Sequence, residues 1–127
     1  MAKSIIKDKS YEFALEIVKF CYQLRDQRHF EIARQLLRSG TSIGANVEEA
    51  LAGSSRKDFY AKMCIASKEA REANYWLRLI KDAKLFDYKI VADLLDKSDE
   101  LIKILTSIVK TGYDAGLTQN SKLKTKD

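Results

Sequence analysis

The sequence predicts an all-α protein, an antiparallel up-down-up-down four-helix bundle that assembles as a homo-oligomer. Three observations lead there. The 127 residues include no proline and only five glycines, and prolines are the residues that mark turns and sheet edges. Apolar residues recur at helical spacing through four long segments. The connections between those segments are short, which makes successive helices antiparallel neighbours. A chain of this length forms one domain with a sizeable core of its own. That domain is expected over residues 1–112, followed by a polar basic tail, 113–127, expected to be disordered.

Helix one reads from Ser10 to Gln27, with Phe13, Ala14, Ile17, Val18, Cys21 and Leu24 on its stripe. Helix two reads from Phe30 to Ala52. Its stripe is Ile32, Leu36, Ile43, Val47 and Leu51, and Gly53 follows as a C-terminal cap. Helix three starts at Ser54 or Ser55 and runs to about Lys84. Ser55 with Asp58 three residues on resembles a capping box. Phe59, Met63, Ala66, Ala70, Ala73, Leu77 and Ile80 alternate steps of four and three, a heptad seam whose middle is all alanine. Helix four starts behind the N-cap Asp87 and ends near Gly112. It carries Ile90, Val91, Leu94, Leu101, Ile102, Leu105, Ile108 and Val109.

One stretch of helix two breaks the pattern. RSGTSIGANVEEA, Arg38 to Ala50, holds Gly40 and Gly44 on one face with Ala45 beside them. A glycine inside a helix costs about 1 kcal/mol relative to alanine. Either the helix kinks at Ser39–Gly40, or another helix approaches so closely that only small residues fit. The alanines of helix three are the expected match for a close approach. Asn46 and Glu49 are then expected to hydrogen-bond across helices or subunits, Glu49 with an arginine on a neighbouring helix. On helix three, Ile65, Tyr75, Trp76 and Leu79 lie off the main seam. Apolar surface beyond what one bundle core buries points to self-association.

The formal net charge is +5, and its distribution says more than its total. Residues 54–84 hold eight bases against four acids, so +4 of the +5 lies on helix three. Lys57, Arg71 and Arg78 share a heptad row, and Lys68, Arg71, Tyr75 and Arg78 form an overlapping ridge of bases around an aromatic ring. Phosphates need a track of cations, and rings or guanidinium planes stack on unpaired bases. Arg34, Arg38 and Arg56 would extend the track, and Lys122, Lys124 and Lys126 would add a basic arm. The competing reading is a solvated helix face neutralised by the pairs Lys68–Glu72 and Arg78–Asp82, each four apart.

Other classes find little support. The opening MAKSIIKDKS lacks the apolar run of a signal peptide, and no stretch approaches the length of a membrane span. A cytoplasmic protein is therefore expected, with Cys21 and Cys64 as buried free thiols. Di-iron bundles use Glu-x-x-His pairs, whereas the single histidine, His29, falls in the first inter-helix connection, where it is expected to be exposed. Glu69 and Glu72, three apart, read as facing solvent or an interface, and no metal or cofactor is expected. Glu48 and Glu49 are adjacent and point about 100° apart on a helix, which suits no acid/base pair. Ser54 and Ser55 read as caps. No phosphate-cradling glycine loop is present, and the chain is read as non-catalytic.

QLLRSGTSIGANVEEA, a serine-rich turn, KDFYAKMCIASKEARE and NYWLRLI together resemble the signature of bacterial four-helix bundle proteins. The founding members of that family are encoded in intervening sequences of 23S ribosomal RNA genes. The resemblance covers residues 8–112 and is most specific from Arg38 to Ile80. Where the family pattern reads Asn-Ile-Ala-Glu-Gly, this chain has Asn46-Val47-Glu48-Glu49-Ala50; Asn46 and Glu49 match, Glu48 and Ala50 depart. The resemblance implies a ring-like homo-oligomer, a pentamer, and a role with RNA. A more distant similarity is to the accessory protein of diversity-generating retroelements, which implies a reverse transcriptase as a partner. The alternative function is an oligomeric protein-interaction scaffold with no nucleic-acid ligand.

Overall fold

The computed structural model describes residues 2–53 and 55–117, with side chains from residue 5 onward. Four helices account for nearly all of them: α1 (Ala2–Asp26), α2 (Phe30–Ala52), α3 (Arg56–Asp82) and α4 (Tyr88–Asp114). No strand is present among the described residues.

α1 begins eight residues before the expected Ser10. The reason is Ile6, which is fully buried. It precedes Ser10, Phe13 and Ile17, also buried, at steps of four, three and four, so the core-facing stripe starts one turn earlier than the charged sequence suggests. α2 has the expected bounds and continues unbroken through Ser39–Gly40. α3 starts at the expected cap, where the Asp58 N–H donates to Ser55 Oγ at 3.1 Å. Asp87 precedes α4 but makes no side-chain cap bond, and α4 runs two residues past Gly112. The tail from residue 118, with Lys122, Lys124 and Lys126, lies outside the described residues.

Three helices stop by one device. The N–H groups of His29, Leu85 and Leu117 return to the carbonyls of Leu24, Ile80 and Gly112, five residues back, at 2.9, 3.1 and 2.8 Å. In each case the residue before the donor is left-handed: Arg28, Lys84 and Gly116, with φ of 68°, 57° and 74°. His29 sits half-buried in the first connection rather than exposed.

α1 packs on α2, α2 on α3, α3 on α4, and α4 closes back on α1. Contacts run in reversed order along each pair. Ile17 meets Gly40 and Ser10 meets Gly44. Arg38 reaches Glu72, Glu49 reaches Lys62, Lys9 reaches Glu100, and Glu16 reaches Lys97. The core lies between, and on α3 Met63, Ala66, Ala70, Ala73, Leu77 and Ile80 are all fully buried. Phe20 and Phe86 close one end in an edge-to-face contact, ring centroids 4.9 Å apart.

The glycine face of α2 is a close approach, but its partner is α1 and not the alanines of α3. A Cβ on Gly40 would lie 2.8 Å from Ile17 Cγ2, and one on Gly44 would lie 3.3 Å from the backbone oxygen of Ser10. Within the chain, Asn46 Nδ2 donates to the Ser42 carbonyl of its own helix at 2.8 Å. Glu49 does bridge to the neighbouring helix, but to Lys62 at 2.9 Å and not to an arginine.

Candidate nucleic-acid interface

The heptad seam of α3 turns one side inward, which leaves Lys57, Lys68, Arg71, Tyr75 and Arg78 on the outer side, all exposed. The ridge leans toward α4. Arg71 Nη2 donates to Thr106 Oγ1 at 3.0 Å, and Arg78 Nε donates to Asn74 Oδ1 at 3.1 Å. The Arg78 guanidinium carbon also lies 5.7 Å from the Tyr75 ring centroid. Tyr75 remains 46% exposed, so its ring is open on the ridge. Cys64, on the same row, is half-buried, and burial raises its thiol pKa against the opposing pull of Lys68.

The pairs expected to neutralise this ridge do not form. Glu72 turns the other way, accepting from Trp76 Nε1 at 3.1 Å and pairing with Arg38 of α2 at 3.5 Å. Asp82 approaches Lys81 at 3.9 Å rather than Arg78. The basic track is also shorter than the sequence suggests. Arg34 is held by Glu31 at 2.8 Å, and Arg38 lies against the α2 side of α3, away from the ridge. Neither continues it. Arg56 lies near the α2–α3 turn and lines an open hollow of about 290 Å³ with Ala50, Leu51, Gly53, Ser55, Phe59 and Tyr60.

Two features escaped sequence reasoning. Asn74 is buried between α3 and α4, and its Nδ2 donates to Ser98 Oγ (2.8 Å) and to Asp99 Oδ1 (2.9 Å). A polar residue directly after Ala73 on the core-facing arc was the available signal. Glu69 is half-buried, and its Oε1 is buried without a hydrogen-bond partner. Burial, and then the Glu72 carboxylate, push its pKa above the ordinary value, with Arg38 opposing. Among the described residues no group of three or more His, Cys, Asp or Glu side chains is placed to hold a metal ion. No described helix is long and apolar enough to cross a membrane.

Four helices, an α3 with an alanine seam and a bare basic outer row form the frame for comparison with known proteins. Residues 2–107 match the family model described as 23S rRNA-intervening sequence protein. The chain belongs to that family. A crystal structure of a protein of unknown function from the S23 ribosomal protein family, from Bacteroides thetaiotaomicron, is 42% identical to it. That match covers 87% of this chain and 99% of the other, with a TM-score of 0.81. No curated protein matches. Ala50 is buried in a helix that continues to Ala52, so the segment Asn46 to Ala50 is helix and not a turn.

Proposed function

We propose that this protein is a non-catalytic, cytoplasmic, homo-oligomeric antiparallel bundle that binds RNA through the outer face of α3, weakly and without strong sequence preference. One observation carries the reading. Lys57, Lys68, Arg71 and Arg78 are exposed on one ridge, and no carboxylate of the described residues neutralises any of them. Tyr75 supplies an exposed ring for stacking among them. The family's name, which refers to 23S rRNA, supports the same ligand class. A ring of subunits, five by resemblance, would repeat the ridge and multiply its weak contacts.

Fluorescence anisotropy against structured RNA, single-stranded RNA and duplex DNA tests this. Four cations on a single strand give a log–log salt slope of about −2.8, so raising salt from about 50 to 200 mM weakens binding about fiftyfold. In an Arg71→Ala/Arg78→Ala variant the slope halves, and the same salt step costs about sevenfold. No binding at low salt, or an unchanged slope in the variant, removes the ridge as a site.

The second reading is a protein-interaction scaffold with no nucleic-acid ligand. Ile65 and Leu79, 40% and 39% exposed on α3, favour it. A partner protein that stays bound after nuclease treatment would support this reading over the first.

A further inference from the structure

The basic ridge of α3 does not stand alone. Arg71 Nη2 reaches Thr106 Oγ1 of α4 at 3.0 Å, and Asn74 Nδ2 reaches Ser98 and Asp99 of α4 at 2.8 and 2.9 Å. Lys103 falls between these two contacts, so it stands across from residues 71–74 of α3. It lies three residues before Thr106, on the same side of α4. Lys103 is exposed, and among the described residues it makes no ion pair. Asp99, four residues earlier and spaced to pair with it, is engaged by Asn74 instead. Two other lysines of α4 are taken: Lys97 bridges to Glu16 of α1, and Lys110 is held by Asp114.

Exposed cations therefore stand on both sides of the α3–α4 seam, Lys68 and Arg71 on one side and Lys103 on the other. Packed helix axes lie about 8–10 Å apart. A single strand presents one line of phosphates, which the α3 side serves by itself. A duplex presents two lines, one along each side of a groove, and can meet both sides at once. Which duplex fits follows from the breadth of the surface. Each helix is about 10 Å across with its side chains, so two together are too broad for the B-DNA major groove, about 12 Å wide, and for its minor groove, about 6 Å wide. The minor groove of A-form RNA is wide and shallow and can lie over such a surface.

We infer that the α3–α4 seam binds an RNA stem, with phosphates of one strand on Lys68 and Arg71 and phosphates of the other on Lys103, and that Tyr75 stacks on an unpaired base beside the stem. The inference rests on RNA binding through α3 and narrows the ligand from RNA in general to a stem that adjoins an unpaired nucleotide. Thr106 accepts a hydrogen bond from one Arg71 nitrogen and so fixes the guanidinium at the seam, with further donors left for a phosphate. Tyr75 lies one turn beyond Arg71, and its ring is exposed at the surface where the paired region would end. Aromatic rings stack on any unpaired base, whereas bases inside a stem are closed to them. The ring and the paired cations therefore select different parts of one structured RNA.

Fluorescence anisotropy with the full chain tests the stem, with circular dichroism as a check on folding. The probes are an RNA duplex with one overhanging nucleotide, the same duplex blunt, one of its strands alone, and a DNA duplex of the same sequence. The overhanging RNA duplex should bind tighter than the single strand or the DNA duplex at equal salt. Lys103→Ala should lower the log–log salt slope on both RNA duplexes by about 0.9, so that a rise from about 50 to 200 mM salt costs about 3.5-fold less, and should leave the single-strand slope unchanged. Lys19→Ala, which removes an exposed charge from α1, should change neither slope. Tyr75→Ala should weaken binding of the overhanging duplex about fivefold or more and leave the blunt duplex unaffected. An RNA duplex bound no tighter than the single strand, a duplex slope unmoved by Lys103→Ala or moved equally by Lys19→Ala, or a Tyr75→Ala loss equal on both duplexes would overturn the inference. If Arg71→Ala/Arg78→Ala still halves the single-strand slope in that case, RNA binding on the ridge stands and the stem alone falls.

Discussion

Gly40→Ala tests the close approach of α1 and α2 directly. The new methyl would lie 2.8 Å from Ile17 Cγ2, 3.1 Å from Cγ1 and 3.3 Å from Cβ. All three atoms belong to one fully buried side chain, and β-branching on a helix leaves it essentially one rotamer. Ile17 therefore cannot swing aside, and the helices must part or strain. Alanine gains about 1 kcal/mol over glycine in helix propensity, while overpacking costs about 1–3 kcal/mol. The variant should lose about 1 kcal/mol net. Ile17→Ala alone should cost about 2–5 kcal/mol. In that background the methyl on residue 40 enters vacated space, so Gly40→Ala should now stabilise by up to about 1 kcal/mol. The change of sign amounts to a coupling of about 2 kcal/mol. Urea unfolding followed by circular dichroism measures it, at one protein concentration because self-association adds to apparent stability. A Gly40→Ala protein more stable than wild type, or the same effect in both backgrounds, would refute the packing argument.

Asn74→Ala should lower unfolding free energy by about 1–3 kcal/mol, since it removes the buried donor to Ser98 and Asp99 and the acceptor of Arg78; urea melts give the value. Glu69→Gln should raise stability at pH 7. The folded-state pKa of Glu69 lies above its ordinary value of 4.5, so the folded form holds the proton more tightly, and ionisation works against folding. The advantage of glutamine should therefore shrink as pH falls through the raised pKa toward 4.5, and thermal melts across that range would show it; a constant difference would contradict it. Burial pushes the Cys21 thiol up to about 12, so at pH 8 it is almost wholly protonated and should resist a thiol reagent in the folded protein. Cys64, less deeply buried, should label first, as mass spectrometry of digested protein would report.

Much of the bundle could be read from the sequence because each helix carries a single dominant periodicity. The α3 seam from Met63 to Ile80 is buried as its spacing predicts, and the Ser55–Asp58 cap closes as its residues suggest. Boundaries were less legible where the signals were absent. Arg28 and Lys84 end helices in the left-handed conformation that glycine adopts most readily. Their identities announce nothing of the kind, and Gly116 is the exception. The start of α1 was hidden by three lysines and an aspartate among its first ten residues, although Ile6 seven residues before Phe13 extended the stripe. The partner of the glycine face was not legible at all. In a square of four helices each has two neighbours, and a small face says that something comes close without saying which helix does.

The candidate site divides along the same line. Composition located the positive charge on α3, but which cations stay free depends on which way each carboxylate turns. Glu72 has two acceptable partners one turn away and a third on α2, and it takes Trp76 and Arg38. That choice leaves Lys68 without a carboxylate partner and removes Arg38 from the track. The exposed row Tyr11, Leu15 and Tyr22 on α1 was missed for a different reason. Val18 fits the inner period well enough to be counted there, and once an inner stripe explains a helix its outer residues read as unremarkable surface.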